Sequence, residues 1–247
     1  MPNHREARIF AVVPAAGVGR RMGGEVPKQY LEIAGKRVLE HTLERFLDHP
    51  AIVAVAVAVS AQDPYWPEVA ARYPGGRLLT ATGGAERCHS VLSGLGLLLG
   101  RARPEDWVMV HDAARPCLSA AEIDGLLREL ADDPVGGILA VPVRDTLKRA
   151  AESAHGRNRV AATVDRAGLW QALTPQMFRL GPLIAAIEAA IARGILVTDE
   201  AQAMELAGLT PRLVAGSVRN IKITLPEDRA LAELYLRDRR VSGVAAS

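Results

Sequence analysis

Eight consecutive apolar residues, Ile52 to Val59, limit the fold of this 247-residue chain more than any other feature. A strand that is apolar at every position is typical of a central parallel strand covered by helices on both faces. Other apolar runs and helical patterns alternate with it along the chain. We expect strands at Ile9–Val13, Trp107–His111 and Gly137–Val141, and helices near Val38–Leu47 and Ala120–Ala131. This alternation predicts an α/β fold with a single doubly wound, mainly parallel sheet.

The composition favours one globular domain over residues 1–247. Apolar residues make up 49% of the chain, which is enough for one sizeable core at this length. The formal net charge is +2, and the three Phe, three Trp and four Tyr residues offer no evident basic stripe or stacking surface. We therefore expect no nucleic acid polymer as a partner.

The N-terminus and the cysteines indicate the compartment. Arg5 and Arg8 precede an apolar stretch that reaches only from Ile9 to Ala16, which makes a signal peptide a poor interpretation. Cys88 and Cys117 lack the close Cys/His spacing of a zinc site and the density of a disulfide scaffold. Apolar runs also fall short of the roughly 20 residues that a membrane span requires. We expect a cytoplasmic protein with reduced thiols and no membrane span.

A glycine-rich turn follows the first predicted strand. Gly17 and Gly19 allow the backbone to turn tightly, so that successive N–H groups can face phosphate oxygens. Three cations, Arg20, Arg21 and Lys28, accompany this turn. Together they predict a site for a nucleoside triphosphate, because a polyphosphate would balance the positive charge. An ordinary strand-to-helix turn with solvated arginines is the alternative.

The turn matches neither of two familiar phosphate-binding motifs. The dinucleotide fingerprint would require a small residue in place of Met22. A Walker loop would require a hydroxyl residue after Gly-Lys, whereas Arg37 follows Gly35 and Lys36. The sequence therefore predicts a cation-rich loop of a different kind.

A second polar segment follows the buried strand that ends near His111. Asp112 and Arg115 leave this strand end together, at the edge where ligands bind in doubly wound sheets. Asp112 can accept hydrogen bonds from ligand hydroxyls, and Arg115 can bind a phosphate. A surface ion pair between them is the alternative. A histidine that closes a strand is more often packed than catalytic, so the predicted mechanism leaves His111 out.

Three other segments give weaker indications of a site. Gly84 and Ser90 lie where a helix begins, and a nucleotide base or ribose could bind near its positive N-terminus, although Gly-Gly before a helix is also common turn chemistry. The segment of residues 197–200 is predicted to cap another helix. Lys222 is predicted to lie in a strand before the final helix, with its side chain pointing either into the crevice or to solvent.

Residues of about 142–168 are predicted to form a projecting β-hairpin arm. Half-polar strands at 143–148 and 159–166 flank a turn at 154–158. An isolated two-stranded hairpin is marginally stable in water, so the arm should pack against another surface, most simply that of a second copy. A homodimer is therefore predicted.

Seven segments, taken in this order, resemble the 2-C-methyl-D-erythritol 4-phosphate cytidylyltransferases. They are PAAGVGRRM at 14–22, PKQY at 27–30, HDAARP at 111–116, DTLK at 145–148, LTPQ at 173–176, TDE at 198–200 and KITLPED at 222–228. The resemblance covers most of the chain and implies a Rossmann-like nucleotidyltransferase fold. It also implies that the cytidylyl group of CTP is transferred to 2-C-methyl-D-erythritol 4-phosphate in the non-mevalonate isoprenoid pathway.

The resemblance further implies roles for individual residues. CTP would be bound by Ala15, Ala16, Gly17, Gly19, Gly84, Ser90 and Ala113. Methylerythritol phosphate would be bound by Asp112, Arg115, Thr146, Arg166, Thr198 and Lys222, and catalytic charge would come from Arg21, Lys28, Arg166 and Lys222. In the family the arm crosses to the neighbouring subunit, so each site would be composite. Ala85 stands where family members often place an acidic residue, which leaves the backbone contact at Gly84.

The implied chemistry needs no protein nucleophile, and no residue is assigned as a metal ligand. A phosphomonoester with a second pKa of about 6 is largely dianionic at neutral pH and can attack the α-phosphorus of CTP directly. The barrier then comes mainly from repulsion between anions, which Arg21, Lys28 and a Mg²⁺ ion held mainly by the triphosphate would reduce. Two alternatives stay open: a cytidylyltransferase for another polyol phosphate, such as ribitol 5-phosphate, and a non-catalytic nucleotide-binding module.

Overall fold

The computed structural model describes residues 7–17, 26–151 and 159–244, without the side chains of residues 239–244. The strands are β1 Ile9–Pro14, β2 Glu32–Ile33, β3 Lys36–Arg37, β4 Ile52–Val59, β5 Leu78–Thr82, β6 Trp107–Val110, β7 Gly136–Pro142, β8 Leu147–Ala150, β9 Val160–Val164, β10 Trp170–Arg179 and β11 Arg212–Ala215. The α-helices are α1 Val38–Leu47, α2 Trp66–Ala71, α3 Arg87–Leu98, α4 Ala120–Leu130, α5 Leu180–Ala192, α6 Glu200–Leu206 and α7 Pro226–Val244. A short 3₁₀ helix spans Lys28–Tyr30.

Seven of these strands form one mixed sheet in the order β11-β7-β10-β6-β1-β4-β5. Neighbours pair in parallel except at β10, which runs antiparallel to both β6 and β7. The segment Ile52–Val59 lies between β1 and β5, and only Val53 of its eight residues is exposed. The predicted α/β fold with a mainly parallel sheet is confirmed. The elements predicted at 9–13, 38–47, 52–59, 107–111, 120–131 and 137–141 differ from the observed bounds by at most one residue at either end.

The sheet is covered on both faces because side chains alternate along its strands. Ala11 and Val13 of β1 belong to the cluster that includes α1, whereas Phe10 and Val12 belong to the cluster that includes α3 and α5. Gly94 of α3 lies against β1, where an added Cβ would come within 2.6 Å of Val12 Cγ1. This glycine therefore lets α3 approach β1 closely, and it brings the N-terminus of α3 to the carboxyl end of the strand.

The strand order creates a crevice beside β1. The chain proceeds from β1 to β4 and β5 on one side of it, and then to β6 on the other side. At such a switch point the loops that follow the two central strands diverge and leave room for a ligand at the carboxyl ends. The loop after β1 and the segment after β6 are the two that diverge here, and both carry predicted site residues.

The predicted arm is a separate two-stranded sheet. Strands β8 and β9 pair antiparallel, with Leu147 opposite Val164 and Lys148 opposite Thr163. Most of its residues are exposed, including Val160 with 65% of its surface accessible. The hairpin is confirmed, with strands shorter than predicted, while its expected turn at 154–158 lies outside the described residues. Among the helices that the structure describes, none is long and apolar enough to cross a membrane.

Candidate active site

A crevice of about 290 Å³ lies at the carboxyl ends of β1 and β6, beside the N-terminus of α3. Its walls include nine residues that the sequence singled out: Ala15, Ala16, Gly17, Lys28, Gly84, Ser90, Asp112, Ala113 and Lys222. They come from five separate stretches of the chain. The topology of the sheet therefore brings together most of the predicted site residues that lie in the described part of the main fold.

The loop after β1 is held from below by Gln29. Its amide donates hydrogen bonds to the backbone oxygens of Ala15 at 2.8 Å and Gly17 at 3.0 Å, and its side chain is almost fully buried. In a peptide unit the C=O and the following N–H point in opposite directions. The amide hydrogen of Ala16 is therefore turned away from Gln29. Gln29 was not predicted as a site residue, because a buried amide that bonds two distant carbonyls leaves no local sequence signal.

The paired glycines before α3 are required by close contacts. A Cβ built at Gly83 would overlap the Cβ of Ala16 and lie 3.0 Å from Ser90 Oγ, and one at Gly84 would overlap His89 Cβ. Ser90 Oγ accepts a hydrogen bond from Gly84 N at 3.1 Å and donates one to Glu86 O at 3.2 Å. Ser90 thus bonds to the cap of its own helix and also fixes the glycine loop that forms one wall of the crevice.

Asp112 lies at the centre of a buried charge cluster. Its Oδ1 accepts from Arg87 Nε at 3.1 Å, while its Oδ2 lies 2.9 Å from Lys222 Nζ and 3.4 Å from Arg115 Nε. Burial alone would raise the pKa of Asp112, but the charges of Arg87, Lys222 and Arg115 outweigh burial and hold this pKa well below its usual range. Asp112 is therefore an anion at neutral pH with its carboxylate facing the crevice.

Arg115 lies beneath Asp112 rather than on the crevice wall. It is only 9% exposed, and its Nη1 donates to Asn220 O at 2.7 Å. The ion pair with Asp112 that was considered as an alternative does form, but it is buried instead of lying on the surface. Arg115 therefore links the segment after β6 to the loop that carries Lys222.

Arg87, the first residue of α3, was missed by the sequence analysis. Its Nη1 and Nη2 donate to Glu200 Oε1 at 2.7 Å and Oε2 at 3.1 Å, and Nη1 lies 3.5 Å from Thr198 O. The neighbouring carboxylates Glu200 and Asp112 outweigh the opposing effect of burial and raise the pKa of Arg87. One signal was present in the sequence: a cation at the first position of a helix opposes the helix dipole, so a specific partner is needed there.

Lys222 is not in a strand, which corrects the prediction. It lies in the loop between β11 and α7, and the neighbouring Ile223 N donates to Ala114 O at 2.9 Å. This backbone hydrogen bond connects the loop to the segment after β6, but it does not form part of a strand ladder. The side chain points to Asp112, so of the two directions left open, the structure has the one into the crevice. Lys28 Nζ donates to Ile223 O at 2.9 Å from the opposite wall.

Five of the predicted site residues lie elsewhere or cannot be described. Gly19 and Arg21 are outside the described residues, as is Arg20. Thr146 and Arg166 are exposed on the arm, apart from the crevice of their own chain, and Arg166 Nη1 donates to Arg144 O. Thr198 is exposed next to the cap of α6, and its backbone oxygen lies near Arg87.

His111 is a packed residue, which agrees with its omission from the mechanism. It is fully buried, with Nε2 at 3.0 Å from Arg115 O and Nδ1 at 2.9 Å from Thr174 Oγ1. Burial is the main cause that lowers its pKa to about 4, so the ring is neutral at pH 7. Its two ring nitrogens fix the segment that follows β6.

The family of the chain follows from comparison with known proteins. The family model described as 2-C-methyl-D-erythritol 4-phosphate cytidylyltransferase (IspD) matches residues 9–238. The chain belongs to this family. It is therefore a cytidylyltransferase of the non-mevalonate pathway of isoprenoid biosynthesis, and the predicted activity is confirmed.

Individual relatives agree with this assignment over nearly their whole length. The 2-C-methyl-D-erythritol 4-phosphate cytidylyltransferase of Pseudomonas putida strain GB-1 is 56% identical over 222 residues, which cover 89% of this chain and 92% of that protein. The enzyme of the same name from Vibrio vulnificus strain YJ016 is 52% identical over 229 residues, covering 92% and 94%.

Solved structures of the family share the fold. A crystal structure of 4-diphosphocytidyl-2C-methyl-D-erythritol synthase superposes with a TM-score of 0.80 at 41% identity, covering 93% of this chain and 99% of that one. The Francisella tularensis 2-C-methyl-D-erythritol 4-phosphate cytidylyltransferase superposes with a TM-score of 0.79 at 33% identity, covering 93% and 100%. The sheet and the separate hairpin are thus features that this chain shares with cytidylyltransferases of known structure.

Proposed function

We propose that this crevice is where the cytidylyltransferase binds both substrates and joins them. CTP lies along the loop of Ala15, Ala16 and Gly17, with its base and ribose near Gly84 and Ser90, and with Ala113 and Gly19 completing its contacts. The acceptor, 2-C-methyl-D-erythritol 4-phosphate, lies toward Asp112. One observation supports this arrangement above all: a single crevice is lined by glycine-rich backbone on one side and by a buried carboxylate with cations on the other.

Asp112 and Lys222 divide the recognition of the acceptor between them. Because Asp112 stays ionised, it can only accept hydrogen bonds, which suits the hydroxyl groups of a polyol. Lys222 Nζ lies beside it on an exposed loop and can exchange this carboxylate for the phosphate of the acceptor. Arg115 supports Asp112 from below, and Thr198 lies at the rim near Arg87.

The reaction is an in-line displacement at phosphorus. A phosphate oxygen of the acceptor attacks the α-phosphorus of CTP, a new P–O bond forms, and the bond to the bridging oxygen of the β-phosphate breaks with loss of pyrophosphate. The acceptor phosphate is already largely dianionic, so no side chain has to remove a proton first. Lys28 and Arg21 stabilise the charge that develops on the triphosphate, and Lys222 and Arg166 position the attacking phosphate.

In this proposal the residues of the chain would leave a Mg²⁺ ion mainly to the triphosphate. Within the described part of the chain, no cluster of three or more His, Cys, Asp or Glu side chains could hold a metal ion. Of the carboxylates of Asp112 and Glu86, which both line the crevice, that of Asp112 already has cations on both oxygens. This donor set fits a metal ion that is held mainly by the triphosphate oxygens, where it would neutralise phosphate charge.

A second copy of the chain completes each site through the arm. The arm is a hairpin with its own two-stranded sheet, and its exposed residues include the apolar Val160. Packing against a second copy would cover this surface, which an isolated hairpin needs for stability. In the resulting homodimer the arm of one copy would bring Thr146 and Arg166 to the crevice of the other.

Two further proposals concern the chain as a whole. We treat residues 1–247 as one nucleotidyltransferase domain, which is supported by the seven-stranded sheet that includes both β1 and β11. Helix α7 also packs back on the main fold, since Ala232 and Leu236 cluster with Ile33 and Val38. A cytoplasmic location agrees with the two cysteines, which are buried and are not joined in a disulfide.

The test is pyrophosphate release from CTP and Mg²⁺ with 2-C-methyl-D-erythritol 4-phosphate, run beside ribitol 5-phosphate and the other three nucleoside triphosphates. We expect turnover with the first pair alone. Lys28→Ala should lower kcat by about a hundred- to a thousandfold, the usual effect of removing one charge-stabilising contact. Lys36→Ala is the matched control, because Lys36 pairs with Glu44 on another surface and should leave kcat unchanged. Normal kcat in folded Lys28→Ala would contradict the proposed role of Lys28.

A further inference from the structure

Arg87 lies on the crevice wall, yet nearly all of its hydrogen-bonding capacity is used inside the protein. Its Nε donates to Asp112, its Nη2 to Glu200, and its Nη1 to both Glu200 and Thr198 O. A guanidinium has five N–H donors, so four of them are already committed. An incoming anion could use only the one remaining N–H of Nη2 unless it displaced a carboxylate. This side chain is therefore suited to hold other groups of the site in place.

The groups that Arg87 holds come from two different parts of the fold. Asp112 lies two residues after the end of β6, while Thr198 and Glu200 flank the cap of α6. Glu200 is only 1% exposed, and a buried carboxylate is strongly destabilising without a charged or hydrogen-bonded partner. The planar guanidinium satisfies Glu200 with two parallel bonds, and this fork sets the direction in which Nε meets Asp112.

The second carboxylate oxygen of Asp112, Oδ2, lies on the side of the crevice that Lys222 occupies. Arg87 takes Oδ1, so the carboxylate is fixed with Oδ2 toward Lys222. If Lys222 moves to the phosphate of the acceptor, Oδ2 becomes available to the polyol hydroxyls. Arg87 and Arg115 then remain to keep Asp112 ionised, and Arg87 is the nearer of the two, at 3.1 Å against 3.4 Å.

We propose that Arg87 is a positioning residue for the acceptor: it aims Asp112 and anchors the Thr198 segment, without itself touching the substrate. This inference rests on the proposed role of Asp112 in binding the polyol. It assigns a function to a residue outside the predicted site. It also divides the crevice into an acceptor half, around Asp112 and Lys222, and a CTP half, along the loop after β1. The two halves should therefore respond differently when Arg87 is changed.

The first variant is Arg87→Lys, which keeps the charge but loses the planar fork. A lysine has one donor atom and cannot bond Glu200 twice while it also orients Asp112. We expect KM for methylerythritol phosphate to rise by about ten- to a hundredfold, the equivalent of one charged hydrogen bond. KM for CTP should change by less than about twofold, because the CTP half of the crevice is held by Gln29 and Ser90.

Arg103→Lys is the matched control. Arg103 Nη2 donates to the fully buried Asp106 at 2.9 Å, at the amino end of the same strand β6. This change also removes an arginine guanidinium from a buried aspartate, but at the end of the strand opposite the crevice. It should lower the melting temperature and leave both KM values unchanged. A rise in both KM values of Arg87→Lys, with the same melting loss as in the control, would show a purely structural role and overturn the inference.

Asp112→Asn separates failure of this inference from failure of the proposed site. If Asp112→Asn leaves KM for the acceptor unchanged, the proposed role of Asp112 is wrong. If Asp112→Asn raises this KM but Arg87→Lys does not, the positioning role of Arg87 is wrong. When Asp112→Asn is already present, adding Arg87→Lys should raise KM for the acceptor little further, because both changes affect the same interaction. Fully additive effects would mean that Arg87 acts on the substrate directly, which contradicts the inference.

Glu200→Gln provides the answer if Arg87→Lys fails to fold. Glutamine has the size of glutamate and leaves Arg87 in place, but one of its two terminal atoms is an N–H₂ group that cannot accept from the fork. We expect KM for the acceptor to rise several-fold in the folded variant, with KM for CTP unchanged. An unchanged acceptor KM would overturn the proposed link from Glu200 through Arg87 to Asp112.

Discussion

The hydrogen bonds of Gln29 allow a sharp test of how the loop after β1, which is proposed to bind CTP, is held. Its amide bonds Ala15 O at 2.8 Å and Gly17 O at 3.0 Å from an almost fully buried position. Gln29→Glu preserves the size of the side chain but places an acceptor against these two acceptors. An ionised carboxylate donates nothing and repels both carbonyl oxygens, so the loop should lose its support while the rest of the crevice stays intact.

The magnitude follows from the two lost bonds. Each buried hydrogen bond contributes about 1 kcal/mol net, and leaving its partner unsatisfied costs about 1–3 kcal/mol. The loss is therefore at least about 2 kcal/mol, which corresponds to a roughly 30-fold weaker interaction if it falls on CTP binding. We expect most of it to do so, because the loop is a wall of the crevice and its backbone must be ordered to bind the triphosphate.

The pH dependence identifies the cause. Burial raises the pKa of a carboxyl group, and a protonated Glu at position 29 regains one O–H donor. The kcat/KM for CTP of Gln29→Glu, divided by that of the wild type, should therefore rise by about fivefold when the pH is lowered from 8 to 6. This factor corresponds to regaining one of the two lost hydrogen bonds. Taking the ratio cancels the titration of the acceptor phosphate, which both proteins share.

Steady-state kinetics with CTP varied at saturating acceptor provide the assay. Gln29→Met is the control, since it removes the same two bonds without adding a titrating group and should give a flat ratio across this pH range. KM for methylerythritol phosphate should stay near the wild-type value in both variants. The reasoning is refuted if the Gln29→Glu ratio is also flat, or if only the melting temperature falls and KM for CTP does not change.

Three other predictions concern the carboxylate, the arm and the glycine loop. The folded-state pKa of Asp112 is lowered, so its stabilising contribution is complete above the unfolded pKa of about 3.9 and is lost as the pH falls toward its folded value. Asp112→Asn should therefore have a lower free energy of unfolding in urea than the wild type at pH 7, and this difference should be about 1 kcal/mol smaller at pH 3. A difference that is the same at both pH values would contradict this prediction. Val160→Asp should produce monomers in sedimentation velocity and lower activity, whereas a fully active dimer would refute the arm interface. Gly83→Ala should raise KM for CTP because its Cβ would overlap Ala16, whereas Gly96→Ala, which meets open space, should leave KM unchanged.

The parts of the fold that the sequence predicted well depend on short-range patterns. The apolar segment Ile52–Val59 needed only its own composition to be placed at the centre of a parallel sheet. Asp112 was found because the carboxyl ends of parallel strands meet at one edge, so any polar residue directly after a buried strand is a candidate. The match between predicted and observed strand bounds is close for the same reason.

Lys222 shows where a local pattern is insufficient. Ile221 and Ile223 alternate with polar neighbours, which is typical of a half-buried strand. Ile223 is indeed buried, but the edge position of the sheet is taken by β11, and the segment makes only one backbone hydrogen bond to Ala114. Alternation therefore predicted which side chains are buried, and it could not identify the partner of the backbone.

Arg87 and Glu200 show a second limit. They are 113 positions apart in the chain and meet only because α3 and α6 both begin beside the carboxyl end of β6. Neither residue lies in a spacing pattern that links it to the other, so the pair was not predictable from periodicity. The fork between them is set by tertiary packing, and it determines how a residue that was predicted, Asp112, faces the crevice.

The charge cluster explains how a buried carboxylate can serve a site that must bind two polyanions. Arg87, Arg115 and Lys222 surround Asp112, and Glu200 compensates Arg87, so three cations face two carboxylates before any substrate enters. In the proposed complex Lys222 exchanges one anion for another, and neither Asp112 nor the phosphate is left without a positive partner. The polar groups are therefore oriented before the reaction, and little reorganisation is needed when charge develops on the triphosphate. Such an arrangement requires fixed cations behind Asp112 and a mobile one in front, which is the division that Arg87 and Lys222 provide.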